Sequence, residues 1–317
     1  MATVNYLLRP NKNVERKLIV DVLKVLRMEF GIDAYTYVGM GSMWFVDFIM
    51  AHKELGIRRM ISIEGEPSYE DRARFNKPYD CVTVALGDST KVLPGLGLEA
   101  QRSLVWLDYN SDLRGPWRAD LEIICSKVPS GSVVIVTVNA HVGQLGQGAG
   151  KDANQLNTER EDAIRRYAGD IVPTPLPKDS LTNLGFAKLV GQLLLTFLDH
   201  TTRVSGRAER FLPLFNFTYS DGAPMVTVGG MIANAADAGR LHACDLSARF
   251  EFVAAPEQYG IEVPALTYKE KLALDQLLPA GAPLAPVGAL GWTLPDAELR
   301  AYQRFYKHYP LFVESHS

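Results

Sequence analysis

The stretch Tyr35-Thr36-Tyr37-Val38-Gly39-Met40-Gly41-Ser42-Met43-Trp44-Phe45 decides how the chain is read. It opens as a β-branched and aromatic run and breaks at Gly-x-Gly. An apolar segment over 44–50 follows and continues without a breaker to Gly56. That order predicts a strand, a tight glycine turn and a buried helix. Two glycines let the backbone turn sharply and let a ligand approach the main chain closely. The helix behind them presents free N–H groups and the positive end of its dipole to whatever lies above the loop. Many α/β folds contain one such unit, so its meaning rests on what recurs around it.

Downstream, four further strand candidates recur between helical stretches. They are 59–63 ending in Glu64, 81–86 ending in Gly87-Asp88, 103–107 ending in Asp108, and 132–138 ending in Asn139. Near-continuous Val, Ile and Leu runs without alternation mark strands buried on both faces of a parallel sheet. Alternation with helices predicts right-handed βαβ units and an α/β, doubly wound, Rossmann-like sheet. Ligands bind at the carboxyl ends of such strands, and here each end carries a polar residue. Two β-rich runs, 211–219 and 225–232, flank Asp221-Gly222, which is a hairpin signal. The expected sheet is therefore five parallel strands plus a terminal antiparallel hairpin.

Upstream, Asn13 is placed to cap a helix running to about Phe30, with Val14, Leu18, Val22 and Leu26 as its buried stripe and Gly31 as its stop. Arg9, Lys12, Arg16 and Lys17 read first as a solvated face. The sharper reading folds this leader over the ligand cleft, with Arg9 or Lys12 meeting a substrate phosphate or carboxylate. After the fifth strand, 141–151 is rich in glycine and glutamine, 158–167 is helical and polar, and Pro173, Pro175 and Pro177 follow. Long irregular segments in compact domains are often functional lids, so 143–183 is expected to be a lid or an insertion. Its Arg160, Arg165 and Arg166 suit an anionic acceptor. A long helix is expected over 184–202. The first domain is placed at 1–234 and a mainly helical appendage at 235–317. Within the appendage, 249–254 suggests one more strand, Thr267 and Glu270 form a capping box, and Thr293 caps a last helix with an apolar side of Leu299, Tyr302, Phe305 and Tyr306.

Composition excludes several classes of function. With 47% hydrophobic residues over 317 positions, the chain builds an ordinary globular core. A net charge of −3 supplies no global basic field for nucleic acid. Cys81, Cys125 and Cys244 are odd in number and far apart, giving neither a zinc spacing nor a disulfide framework, which suits a reducing cytoplasm. No signal-peptide pattern opens the chain. The most apolar run, 189–198, is interrupted and too short to span a bilayer. The expectation is a soluble cytoplasmic protein, with a homo-oligomer left open.

These features together resemble the class I S-adenosylmethionine-dependent methyltransferases over about 35–234. The hallmarks are five parallel strands, a terminal hairpin and a glycine loop after the first strand. Within that superfamily the chain is similar to small-molecule O-methyltransferases related to catechol O-methyltransferase, through Ile63-Glu64, Leu107-Asp108 and Val138-Asn139. It is also similar to uncharacterised bacterial proteins labelled as O-methyltransferases, through Tyr37-Val38-Gly39-Met40-Gly41-Ser42, Phe75-Asn76-Lys77-Pro78 and Trp106-Leu107-Asp108-Tyr109. The resemblance implies S-adenosylmethionine as cofactor, its methionine part received by Gly39, Gly41 and Ser42. It places the adenine amino group at Asp88 with Ser89, and the ribose hydroxyls at Glu64. Glu64 stands about 25 residues beyond Gly39, near the spacing at which a carboxylate accepts ribose hydroxyls in dinucleotide folds.

Two positions depart from the family pattern. Tyr37 stands where an acidic residue is usual, two before the first glycine, and Met43 where a third glycine is often present. Asp108 and Asn139 match two ligands of metal-dependent relatives, but Val138 replaces the carboxylate between them. Loss of the metal is expected, although Asp108 with waters and Asp112 would be the place for magnesium.

The leading expectation is a methyltransferase acting on oxygen of a small-molecule acceptor. Asp108 is the first candidate to orient or deprotonate that acceptor and His141 the second. The alternative, motivated by Tyr37, Met43 and the long appendage, is a non-catalytic nucleotide-sensing or scaffolding protein. A nicotinamide-dependent oxidoreductase is disfavoured by the hairpin and by Trp44 where Gly-x-Gly-x-x-Gly would put its last glycine. The fourth strand ends Asp108-Tyr109-Asn110-Ser111, not in the Pro-Pro signature of DNA amine methylation.

Overall fold

The computed structural model describes residues 9–146, 150–255, 257–279, 292 and 294–310. Its strands are β1 (Thr36–Met40), β2 (Arg59–Glu64), β3 (Val82–Leu86), β4 (Ser103–Asp108), β5 (Ser132–Asn139), β6 (Arg210–Ser220), β7 (Pro224–Ala233) and β8 (Tyr259–Ile261). The helices before β6 are α1 (Pro10–Phe30), α2 (Val46–Leu55), α3 (Glu70–Asn76), α4 (Ser89–Val92), α5 (Trp117–Lys127), α6 (Ala153–Ala168) and α7 (Asn183–Val204). After β7 come α8 (Ala235–Ala243), α9 (Leu246–Arg249), α10 (Tyr268–Asp275) and α11 (Asp296–Phe305).

All eight strands form one sheet in the order β3-β2-β1-β4-β5-β7-β6-β8. The first five are parallel and β7 runs antiparallel to both β5 and β6, so the expected architecture is present. Strand order reverses between β1 and β4, and the carboxyl edge at such a switch point is where ligands sit. Side chains alternate across the strands and feed two cores, one on each face. Tyr37, Leu104, Trp106 and Ile135 pack with α1 and α2 on one face. Val38, Val105, Leu107 and Val136 pack with α5 and α7 on the other.

The helix α1 begins at Pro10, three residues before the expected Asn13 cap. Proline suits the first helical position because its missing N–H needs no partner there. The next two N–H groups, of Asn11 and Lys12, donate to the Asp221 carboxylate at 3.1 and 2.8 Å. The cap thus comes from the β6–β7 turn, not from α1's own side chains. The Asn11 side chain strengthens the junction by donating to Ser220 O at 2.8 Å and accepting from Val263 N at 2.8 Å. Gly31 ends the helix as expected, left-handed at φ 66°.

The expected strand over 249–254 is not formed. Phe250, Phe252 and Val253 follow α9 without joining the sheet; Phe252 packs against Phe217 and Tyr259, and Phe250 against Phe252. The eighth strand is β8, parallel to β6, and it carries the sheet beyond the expected hairpin. The capping box at Thr267 and Glu270 is present, whereas the cap expected at Thr293 lies outside the described residues. In the 143–183 segment, α6 starts earlier than expected, from an Asp152–Gln155 capping box.

Candidate active site

A cavity of about 290 Å³ opens at the carboxyl ends of β1, β2, β3 and β4. It gathers Gly41, Ser42, Glu64, Asp88, Ser89 and Asp108; Gly39 and His141 are not among its lining residues. The two glycines do different work. Gly39 is buried in β1, where a Cβ would lie 2.7 Å from the Tyr37 hydroxyl, so it accommodates the phenol. At Gly41 a Cβ would lie 3.0 Å from Ser62 Oγ and 3.1 Å from Glu64 Oε2, so it keeps the loop close against the end of β2. The Gly41 N–H donates to Ile63 O at 2.7 Å, and Ser42 Oγ accepts from Phe45 N at 3.2 Å to close the turn into α2.

Glu64 ends β2 with its Oε1 accepting from Glu66 N at 3.0 Å. Burial pushes its carboxyl above the usual range. Asp88 is largely exposed, ion-paired to Lys91 at 3.0 Å, and makes no side-chain cap to α4. The Ser89 hydroxyl turns inward and donates to Asp120 Oδ2 at 2.5 Å, where the Tyr109 hydroxyl also donates. Ser89 therefore holds the floor of the cavity through Asp120.

Asp108, at the end of β4, is 18% exposed, and its Oδ2 lies 3.2 Å from Lys12 Nζ. Lys12 is fully buried, 3.0 Å from Glu15 Oε2, with the rings of Trp106 and Tyr219 at 5.1 and 5.5 Å. Beside it, Arg16 pairs with Asp47 from α2 through contacts of 2.5 and 3.3 Å. Lys12 and Arg16 are thus buried and not part of a solvated face, while Arg9 and Lys17 are partly exposed. Lys12 does reach the cleft, but it meets the protein's own Asp108 and Glu15. Burial works against both cations, yet Asp108 and Glu15 raise Lys12, and Asp47 raises Arg16, above their usual values. Burial likewise opposes ionisation of Asp47, but Arg16 holds its carboxyl below the usual range.

Asp47, Glu15 and Arg16 were missed by sequence reasoning. A usable signal was helical phase, since Lys12, Glu15 and Arg16 continue the buried stripe of Ile19, Leu23, Leu26 and Phe30. Asp47 also bears on the departure at Tyr37. It stands in the first turn of α2, lines the cavity, and brings a carboxylate to the end of β1 that Tyr37 does not supply.

Over residues 4–317 the sequence matches the family described as "Putative O-methyltransferase". The chain belongs to that family. It is a methyltransferase. No curated protein sequence matches it. Among solved structures it is similar to the O-methyltransferase from Bacillus cereus in complex with SAH, at 15% identity and a TM-score of 0.41 over 73% of this chain and 84% of that one. It is also similar to the O-methyltransferase TomG from Streptomyces achromogenes in complex with SAM, at 15% identity and 0.39 over 68% and 80%. Likeness this distant leaves donor, acceptor and mechanism to be read from the methyltransferase's own residues.

Those residues do not assemble a magnesium site. Both Asp112 oxygens are held by Arg114, at 2.9 and 3.1 Å, and Asn139 Oδ1 accepts from His141 N at 2.9 Å. With Asp108 facing Lys12, no three acidic, histidine or cysteine side chains are placed to hold a metal ion among the described residues. In the 143–183 segment, Arg165 is tied to Glu161 at 2.7 Å and to Thr174 at 3.0 Å, while Arg166 faces a second, open cavity of about 710 Å³ shared with Arg114. No helix among the described residues is long and apolar enough to cross a membrane.

Proposed function

We propose that this methyltransferase takes S-adenosylmethionine as donor and methylates an oxygen of a small-molecule acceptor. The reading is carried by Gly41 pressed against Glu64 at the switch point, with Asp108 open to the same cavity. A side chain at Gly41 would meet the Glu64 carboxylate, so the glycine keeps both the loop and that carboxylate available to a ligand. Glu64 offers acceptor oxygens to ribose hydroxyls, and Asp88 offers one to the adenine amino group. The main chain at Gly41 and Ser42 receives the methionine part. When bound, the donor supplies an electrophilic methyl on a positively charged sulfur.

The rest of the chemistry belongs to the protein. Holding nucleophile and methyl in line at close range supplies most of the catalysis. A hydroxyl acceptor must lose a proton, and the reading gives that proton to Asp108, whose carboxylate lines the cavity. Lys12 restrains that carboxylate from behind. The family description and the carboxylate base both favour oxygen over nitrogen as acceptor.

The test is transfer of labelled methyl from S-adenosylmethionine into a library of small hydroxylated compounds, with amines as controls. Label in ethers or esters supports the reading. Label only in amines, or no heat of binding with S-adenosylhomocysteine, contradicts it.

A further inference from the structure

We infer that Asp120, buried on α5, is a positioning residue that makes the cavity selective for a 6-aminopurine ring over a 6-oxopurine ring. The inference rests on the cofactor reading above and deepens it.

The selectivity comes from where two hydroxyl protons go. Asp120 is fully buried and does not itself line the cavity. Its Oδ2 accepts from Ser89 Oγ at 2.5 Å and from the Tyr109 hydroxyl. Ser89 and Tyr109 do line the cavity, each with only a small face open to it. A hydroxyl has one proton and two lone pairs. With both protons committed to Asp120, the two oxygens can only accept from a ligand. The Asp88 carboxylate beside them likewise only accepts.

Two donors on one oxygen is the arrangement of a carboxylate. A proton on Asp120 Oδ1 would be buried with no partner among the described residues, and Oδ2 would still accept both hydroxyls. A proton on Oδ2 would go to one hydroxyl and release that hydroxyl's own proton, for which no second partner stands among the described residues. Burial raises the Asp120 carboxyl, and the Ser89 and Tyr109 donors oppose that rise.

An acceptor-only edge reads a purine at its 6-position. Adenine offers the N–H groups of its amino substituent there. Hypoxanthine offers a carbonyl oxygen, whose lone pairs would face those of Ser89 and Asp88. Buried polar groups left unpaired are what lets a hydrogen-bonding site reject such an analogue. Asp120 touches neither ring, but it fixes which way Ser89 points its proton.

The test is calorimetry of the full chain with S-adenosylhomocysteine and its deaminated analogue, S-inosylhomocysteine, in mildly alkaline buffer that favours the ionised Asp120. The readout is the ratio of their dissociation constants. Wild type should prefer the adenosyl ligand by about tenfold or more. Asp120→Asn should narrow that preference by about fivefold, the scale of one hydrogen bond. Its amide nitrogen faces the two hydroxyls, because the place of Oδ1 offers an N–H no partner among the described residues, and a hydroxyl proton then turns toward the ligand. Should Asp120→Asn fail to fold, Ser89→Ala decides: it should weaken the adenosyl ligand and spare the inosyl one. A merely structural role weakens both ligands equally. An unchanged ratio in the variant, or a wild type that binds both ligands alike, overturns the inference. If neither ligand binds the wild type, the cofactor reading fails and the inference with it.

Discussion

The β2–β3 end and the β4 end of the cavity hold their carboxylates in opposite ways. Glu64 and Asp88 stand singly at strand ends, supported by one main-chain N–H and one exposed lysine respectively. Asp108 and Asp47 are gripped by cations from α1, which is itself fixed by Asp221 more than 200 residues away. A strand-end carboxylate is a local device, so its replacement changes a ligand contact and little else. A carboxylate held through a buried ion pair is coupled to the packing of the helix that supplies the partner. Changes at the β4 end should therefore spread into stability, and changes at the β2–β3 end should not.

The largest expected effect tests that contrast in stability. Lys12→Met leaves Glu15 buried without its cation, and losing one partner of a buried pair costs about 3–5 kcal/mol. Lys91→Met breaks an exposed pair with Asp88 and should cost less than about 1 kcal/mol. Urea unfolding of both variants checks the pair, and equal losses would break the contrast.

Next comes turnover. Asp108→Asn removes the proposed proton acceptor and should lower kcat by about a hundredfold or more, while the affinity for S-adenosylmethionine stays within a few-fold. Steady-state kinetics with an identified acceptor, alongside calorimetry, separates the two. Turnover equal to wild type would remove Asp108 from the chemistry.

The chain's legibility divides along the same line. Four strand ends and the glycine loop are readable because each is a contiguous apolar run closed by one polar residue. Glu64 and Asp88, which line the cavity, stand out in the sequence for that reason. The grip on Asp108 is hidden because Lys12, Glu15 and Arg16 look solvated in a linear reading, and only their phase with Ile19 and Leu23 places them inside. The cap from Asp221 is unreadable locally, since a hairpin turn and a helix start carry no mark of each other. β8 is three residues long and has too little sequence to announce a strand. Phe250, Phe252 and Val253 do announce one, but they lie outside the sheet, with Phe252 packed against Phe217 and Tyr259 and Phe250 against Phe252.

Smaller effects sharpen the comparison. Asp221→Ala removes the cap of α1 and should destabilise the protein by about 1 kcal/mol, measurable by urea unfolding. An unchanged midpoint would show that α1 does not need the turn. The pH dependence of binding is subtler still. Glu64 takes its proton at higher pH than an exposed glutamate, and a protonated carboxyl accepts ribose hydroxyls poorly. Affinity should therefore start to weaken, as pH falls, above the ordinary glutamate value of about 4.3. Asp47, held low by Arg16 against its burial, should stay ionised through that window. Calorimetry between pH 5 and 8 reads this, and the dependence should vanish in Glu64→Ala.

The most direct test of the account is calorimetric titration of S-adenosylmethionine into wild type and Glu64→Ala under the same conditions. The account predicts one site per chain and at least a tenfold loss in the variant, about 1.4 kcal/mol, with the unfolding midpoint unchanged. Equal affinity in the two proteins, or no binding to either, would contradict it.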